Sequence, residues 1–234
     1  MKHTHDKIAI VTGASRSIGL SIAFELASMG YWLGISSRTE SDIKAASELI
    51  LKKYPEIKII AGAFDLSDSG KAKEFAEQVS KEFGFVSVLI NNAGQYISGT
   101  SELPSDKLED MMNINFKSAA YLSQSVIPGM KKNKIGYIIN ISSICGVEAF
   151  PDVGGYVASK FALTGYSDSL AQELEPYGIK VTAICPGWVN TRMSENSRLK
   201  PEEMIQPEDI AKSVRYLLEI GKTAFIRKIV INSK

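Results

Sequence analysis

The sequence predicts an α/β fold: one domain over residues 1–234, a doubly wound parallel sheet of about seven strands with helices on both faces. Three observations predict it. Seven short apolar runs alternate with segments of helical period. The first run feeds a glycine-bearing turn and then an amphipathic stretch, in the order strand, turn, helix. No linker, repeat or low-complexity segment interrupts the 234 residues, a length ample for a well-buried core. Hydrophobic residues make up 44% and charged residues 23%, an ordinary globular composition.

A formal net charge of +1 argues against an electrostatic partner such as nucleic acid or an anionic membrane. No apolar run approaches membrane-spanning length, and Met1 to Lys7 has no apolar leader stretch. His3 and His5 read as part of a mobile terminal segment rather than a metal pair. Cys145 and Cys185 stand in no metal-ligand spacing, so a reduced, cytoplasmic protein is expected.

Ile8-Ala9-Ile10-Val11 is wholly apolar, as expected of a strand buried on both faces of a parallel sheet. It runs into Thr12-Gly13-Ala14-Ser15-Arg16-Ser17-Ile18-Gly19. An amphipathic helix follows from Leu20 to Met29, with Ile22, Ala23, Leu26 and Ala27 at helical spacing. Glycine allows close backbone approach, and the start of a helix offers free N–H groups. Together they make the phosphate-binding corner of a dinucleotide fold. The stretch resembles the short-chain dehydrogenases/reductases (SDR), whose loop reads Thr-Gly-x-x-x-Gly-x-Gly. The resemblance implies a Rossmann-like fold and a nicotinamide cofactor bound by Gly13, Ser15, Arg16, Ser17, Ile18 and Gly19. Ser17 departs from the pattern, standing where the family has its middle glycine.

The second strand, Leu33 to Ser36, ends in Ser37-Arg38. An NAD-type site needs a carboxylate here for the ribose 2′-OH. Ser37 occupies that place, Arg38 can pair with a 2′-phosphate, and the resemblance puts Arg16 near the same phosphate, so NADP(H) is expected over NAD(H). Asp42 to Tyr54 reads as a helix and Ile57 to Ala61 as the third strand. Asp65-Leu66 opens the loop before a helix from Ser67 to Phe83. Asp65 reads as a helix cap or, by resemblance, as an adenine contact together with Leu66. Val88 to Ile90, the fourth strand, ends in Asn91-Asn92-Ala93-Gly94. The resemblance gives that motif the tasks of steadying the sheet and walling the cofactor cleft through Asn92, Ala93 and Gly94.

Ser105 to Lys131 reads as one long helix. Asn115 within it is a core polar group or a kink; by resemblance it is catalytic and organises a water relay to a lysine. The remaining apolar face of this helix packs on a second subunit in relatives, which implies a homodimer or homotetramer. Gly136 to Ile141 is the fifth strand, followed by Ser142-Ser143. Ser143 rather than Ser142 matches the family's catalytic serine by its spacing to Tyr156. Cys145, with no histidine near it in sequence, reads as a buried thiol.

Gly154-Gly155-Tyr156-Val157-Ala158-Ser159-Lys160 puts a phenol and an ammonium on one helix face. A tyrosine with an ordinary pKa of about 10 becomes a usable acid/base when a fixed positive charge lowers that value. By resemblance Tyr156 is the general acid/base, Ser143 orients the substrate oxygen, and Lys160 tunes the tyrosine and holds the nicotinamide ribose. Lys180 to Ile184 is the sixth strand. By resemblance Pro186, Gly187, Val189 and Thr191 then meet the nicotinamide end. Arg192 to Pro207 reads as the substrate lid, Glu208 to Ile220 as the last helix, and Arg227 to Ile231 as the last strand. The chain stops at Lys234 without the Gly-Gly turn and tail of many relatives, which leaves their tetramer geometry open for it.

The expected function is hydride transfer between NADP(H) and a small carbonyl or secondary alcohol substrate, in a pocket given apolar character by Tyr96, Phe150, Trp188 and Met193. A 3-oxoacyl-thioester reductase is the alternative, with Lys131, Lys132 and Lys134 as candidate contacts for an acidic carrier. An epimerase or dehydratase would need a longer substrate domain. A non-catalytic NADP(H)-sensing or scaffold protein is the reading from another class.

Overall fold

A run that is apolar at every position can be buried only between two layers of helices, and that dictates where each strand sits. The computed structural model describes residues 7–233; His3, His5 and Lys234 lie outside them. Strands β1 (Ile8–Thr12), β4 (Val88–Asn91) and β5 (Gly136–Ile141) are buried along their whole length. They form the middle of a seven-stranded sheet ordered β3-β2-β1-β4-β5-β6-β7. The strands β2 (Trp32–Ser37) and β6 (Ile179–Pro186) flank them, and the half-exposed β3 (Ile59–Ala63) and β7 (Lys228–Ile231) close the edges. Every pairing is parallel.

Helices α1 (Ser17–Ser28), α2 (Glu40–Lys53) and α7 (Pro207–Glu219) cover one face. Ile22, Leu26, Ile43, Ile50, Val214 and Leu217 pack there against Val11, Ile35 and Ile139. Helices α3 (Ser69–Phe83), α5 (Ser118–Asn133) and α6 (Gly154–Leu174) cover the other. Phe75, Val79, Leu122, Val126 and Leu170 meet Ile10, Leu89 and Ile138 on that side. Each fully buried leucine or isoleucine contributes about 1.5–3 kcal/mol by leaving water. Arg215 on α7 reaches Glu25 and donates to Ser28 Oγ at 2.7 Å, tying the last helix to the first.

Element ends shift by up to three residues from the sequence reading, and two differences have a clear physical cause. The third strand lies two residues later than expected. Pro55 interrupts the backbone donors, and a turn with Ile57 N–H on Tyr54 O (3.4 Å) occupies the predicted start. The long helix is two helices, α4 (Ser105–Met112) and α5, joined by a π turn over Asn113–Lys117. Asn115 sits in that turn, so it is both a kink and a core polar group.

The strand order reverses between β1 and β4. Ligands of open α/β sheets bind at the carboxyl ends of the strands at such a point, and the glycine loop and Asn91–Gly94 both emerge there.

Candidate active site

Thr12 fastens the two loops together. Its Oγ1 accepts from the N–H groups of Asn92 and Ala93, both at 3.0 Å. Asn92 Nδ2 returns to Thr12 O (2.9 Å) and Gly13 O (3.2 Å). Gly13 adopts φ +64, and a Cβ there would reach Ala93 Cα at 3.0 Å, so the turn needs glycine twice over. Asn91 Nδ2 donates to Asn140 Oδ1 at 2.8 Å, and Asn140 donates to Ser167 Oγ at 2.7 Å. This buried chain links β4, β5 and α6 behind the site.

The loops open on a cleft of about 790 Å³, within the size range of small-molecule sites. Every residue that the sequence assigned to the cofactor lines it, as do Ser143, Tyr156 and Lys160. Asn115 stands just behind, where a Cβ on Gly94 would come 3.4 Å from its Oδ1 and 3.5 Å from Lys160 Nζ. Glycine at 94 therefore keeps the floor open above the lysine.

At one end of the cleft, Arg16 is the N-cap of α1 but makes no side-chain cap hydrogen bond. The N–H groups that open the helix are left to the cleft, a ready anion site. Ser17 holds φ +50, which explains why the family pattern has glycine at this position. Ser37 Oγ donates to Thr39 O (3.0 Å) and shapes the turn beside Arg38. Arg16 also has a partner that the sequence did not reveal: Asp42 on α2, 3.9 Å away, with both side chains about half exposed. No spacing rule joins the glycine loop to α2, so only the fold brings them together. Asp65 does not cap α3; Asp68 does, accepting from Gly70 and Lys71 N–H. Asp65 instead accepts from Ser67 N–H at 2.8 Å, and that bond, helped by the charge of Arg38, holds its carboxyl below the usual range. Leu66 beside it is buried against the core.

At the other end, α6 begins at Gly154 and delivers Tyr156 and Lys160 to the mouth of β5. Lys160 is 3% exposed, and its Nζ donates to Ile141 O at 3.0 Å. Burial pulls its ammonium down to about 8. Lys160 Nζ stands 5.7 Å from the Tyr156 ring centroid. Burial pushes the Tyr156 phenol well above the ordinary tyrosine range, and a hydrogen bond with Ser143 pulls the other way. The ruling effect on the phenol is therefore burial rather than the expected lowering by Lys160. Ser143 Oγ accepts from Cys145 N–H (3.1 Å) and stays beside the phenol, whereas Ser142 Oγ turns away to Thr164 Oγ1 (2.8 Å). Cys145 is half-buried, with its thiol pushed up by burial.

Asn115 is 1% exposed and fully engaged. Its Nδ2 donates to Gln95 O (2.8 Å) and Ser159 Oγ (2.9 Å), and its Oδ1 accepts from Gln95 N–H (2.7 Å). Gln95, which the sequence marked only as the start of a pocket-shaping loop from Gln95 to Leu103, is thus clamped at both backbone groups. Tyr96 follows it and sets its ring edge-to-face on Tyr156, centroids 5.2 Å apart at 79°.

Past β6, Gly187 N–H bonds Ile231 O at 2.7 Å and holds Pro186-Gly187 against β7. Val189 forms a parallel bridge with Ile205. That bridge uses Trp188 O and Asn190 N–H, so the N–H and C=O of Val189 point the other way, toward the cleft. Thr191 caps a short turn with its backbone only, leaving its hydroxyl to the cleft. The segment from Arg192 to Pro207 hangs from this bridge. Tyr96, Trp188 and Met193 line the cleft; Phe150, also expected there, stands outside its lining.

Such a site can hold an extended dinucleotide along the loops and present a proton donor to a substrate oxygen beside it. Comparison with known proteins agrees. A family model for short chain dehydrogenases matches residues 7–202. A 3-ketodihydrosphingosine reductase of Bacteroides thetaiotaomicron is 37% identical over 216 residues, covering 92% of this chain and 75% of that protein. An alcohol dehydrogenase of the archaeon Thermococcus sibiricus, solved with 5-hydroxy-NADP, superposes with a TM-score of 0.89 at 27% identity over 97% of this chain and 96% of that one. A β-ketoacyl-[ACP] reductase of Bacteroides thetaiotaomicron superposes with a TM-score of 0.87 at 35% identity, over 99% and 98% of the two chains.

Proposed function

This chain belongs to the short-chain dehydrogenase family and is an oxidoreductase, and on that premise we propose that it interconverts a small carbonyl compound and its secondary alcohol with NADP(H). The observation that carries the reading is the convergence of Ser143, Tyr156 and Lys160 at the catalytic end of a cleft whose other end is an uncapped helix start flanked by two arginines. The residues fit a nicotinamide dinucleotide: free backbone donors await the phosphates, and Gly94 leaves room above Lys160. Gly13, Ser15 to Gly19, Ser37, Arg38, Asp65, Leu66 and Asn92 to Gly94 would hold its adenosine and phosphate part. Pro186, Gly187, Val189, Thr191 and Lys160 would hold the nicotinamide part. When bound, the cofactor supplies or accepts the hydride.

The protein's own share is positioning and proton transfer. Ser143 holds the substrate oxygen by a hydrogen bond. Tyr156 gives its proton to that oxygen as charge develops there, or takes it back from the alcohol. A phenol kept protonated by burial suits reduction near neutral pH. Lys160, anchored on Ile141 O, offers its remaining protons to the ribose and the tyrosine. Asn115 braces the loop beside them and anchors the proton relay.

The chain is proposed to act as one domain with Arg192 to Pro207 as its lid, and as a cytoplasmic homodimer or homotetramer. No helix among the described residues is long and apolar enough to cross a membrane. Tyr121 and Phe161, more than 40% exposed on α5 and α6, support a covered face.

A 3-oxoacyl-thioester reductase is the second reading, favoured by the likeness to a β-ketoacyl-[ACP] reductase. Within one chain, however, Lys131, Lys132 and Lys134 lie where α5 leads into the start of β5, at the opposite end of that strand from Ser143. Lys131 is also already paired with Glu173 at 3.2 Å. The deciding experiment follows NADPH and NADH oxidation with ketones, aldehydes, sugars and acetoacetyl thioesters, with Tyr156→Phe beside the wild type. Turnover with NADPH that falls roughly 10²–10⁴-fold in the variant, with dinucleotide binding kept, is expected. Tight NADPH binding without turnover of any carbonyl would indicate a sensor instead.

A further inference from the structure

The residues around Tyr156 carry more information about the substrate than the reaction type does. We propose that Tyr96 is a specificity-determining wall of this site, and that the carbonyl compound it admits is neutral and carries an aromatic flank. The inference rests on the carbonyl-reductase reading above and deepens it.

Tyr96 is 39% exposed, yet it is not a loose surface side chain. The residue before it is pinned by Asn115 at both N–H and C=O, and its ring lies edge-to-face against the catalytic phenol. A group bonded to Ser143 and Tyr156 through its oxygen must therefore lie next to the Tyr96 ring. Trp188 and Met193 line the same cleft and are 48% and 46% exposed. Three large side chains of largely apolar surface, left half-exposed in the lining of one cleft, form a surface that favours an apolar, flat partner.

Charge points the same way. The carboxylates lining the cleft are Asp42 and Asp65, which follow β2 and β3. The sheet order puts those strands on the opposite half from β5 and β6. Among the described residues, no carboxylate lines the catalytic half to receive a cationic substrate. Its cations are Lys160, already held by Ile141 O, and Arg192 on the exposed lid. A neutral aryl ketone would leave none of these groups newly buried and unpaired.

The test compares kcat/KM for an aryl methyl ketone, a small dialkyl ketone and a 2-keto acid, in wild type, Tyr96→Phe and Tyr96→Ala. The aryl ketone should be the best of the three. Tyr96→Ala should lower the aryl-to-dialkyl ratio roughly 3–10-fold, through KM rather than kcat, and Tyr96→Phe should restore it. An equal loss on all three ketones, or a preference for the keto acid, would overturn the inference. A second readout needs no turnover: quenching of Trp188 fluorescence by the aryl ketone, in a Trp32→Phe background, should saturate in the presence of NADPH and weaken in Tyr96→Ala. Saturable quenching with no carbonyl reduced would sink the reductase reading and leave the pocket's preference standing. Ketone turnover without aryl preference or quenching would do the reverse.

Discussion

The two ends of the cleft are built on different principles. At the catalytic end, Lys160 and Asn115 are at most 3% exposed, and each is bonded to named protein atoms. At the adenosine end, Arg16 and Asp42 are about half exposed and meet at 3.9 Å, the outer limit of an ion pair. Buried polar groups lose heavily when a partner is removed, whereas exposed pairs contribute 0–1 kcal/mol. The comparison teaches that the proposed catalytic end is fixed by the fold, while the arginines proposed to favour NADP(H) can change at little structural cost.

Asn115→Ala should break the first end most severely. It strips both backbone bonds from Gln95 and leaves Ser159 short of a partner. A loss of about 2–3 kcal/mol is expected, seen as a fall in Tm of roughly 4–12 °C, together with reduced turnover. A variant as stable as the wild type would mean that the clamp is not structural.

Lys160→Met sharpens the same contrast through pH. The buried ammonium titrates at about 8, against an ordinary 10.5. The unfolded chain thus binds that proton more tightly. The full cost of burying the charge is present below pH about 8 and is relieved as pH rises toward 10.5, so wild-type stability gains with pH across that window. Tyr156, raised by burial, acts oppositely, but only from about pH 10 upward. Denaturant unfolding between pH 8 and 10 should show the gain in wild type and a flatter line in Lys160→Met. Equal slopes would place the lysine in water.

Smaller effects are expected at the adenosine end. Arg16→Ala and Arg38→Ala should each weaken NADPH binding about 3–10-fold and leave NADH nearly unchanged. Asp42→Asn should do the opposite, tightening NADPH about 2–4-fold by freeing Arg16, with the gain fading at high salt. Titration calorimetry reads both, and equal changes for the two cofactors would remove Arg16 from the 2′-phosphate site. The smallest effect is Ser17→Gly. Relief of the left-handed backbone should add about 0.5–1 kcal/mol, read as a rise in Tm of roughly 1–4 °C.

Part of this was legible in the sequence, because two of the proposed catalytic groups lie on one regular helix with fixed spacing. Tyr156 and Lys160 share a helix face by arithmetic, and Ser143 follows two residues after the end of β5. The apolar runs announced the sheet because its central strands are buried on both sides. The half-exposed third strand was misplaced because an edge strand needs no sustained apolar pattern. The pairing of Arg16 with Asp42 was invisible because it joins the glycine loop after β1 to the first turn of α2, which only the pairing of β1 with β2 brings together. The phenol's upward shift was misjudged because spacing reveals a neighbour's charge but not the water that burial removes.

The π turn at Asn113–Lys117 has a consequence for helical phase. One residue of an α-helix turns about 100°, so the extra residue sets α4 and α5 out of step. Met111 on α4 is thereby aimed at Gly155, against the segment that carries Tyr156, while Leu122 and Val126 on α5 face the sheet. A continuous α-helix would bring one of these faces into register and rotate the other off its partner. Deleting a single residue between 113 and 117 should therefore act like a slipped gear tooth, uncoupling the wall of the substrate site from the core although no catalytic group has changed.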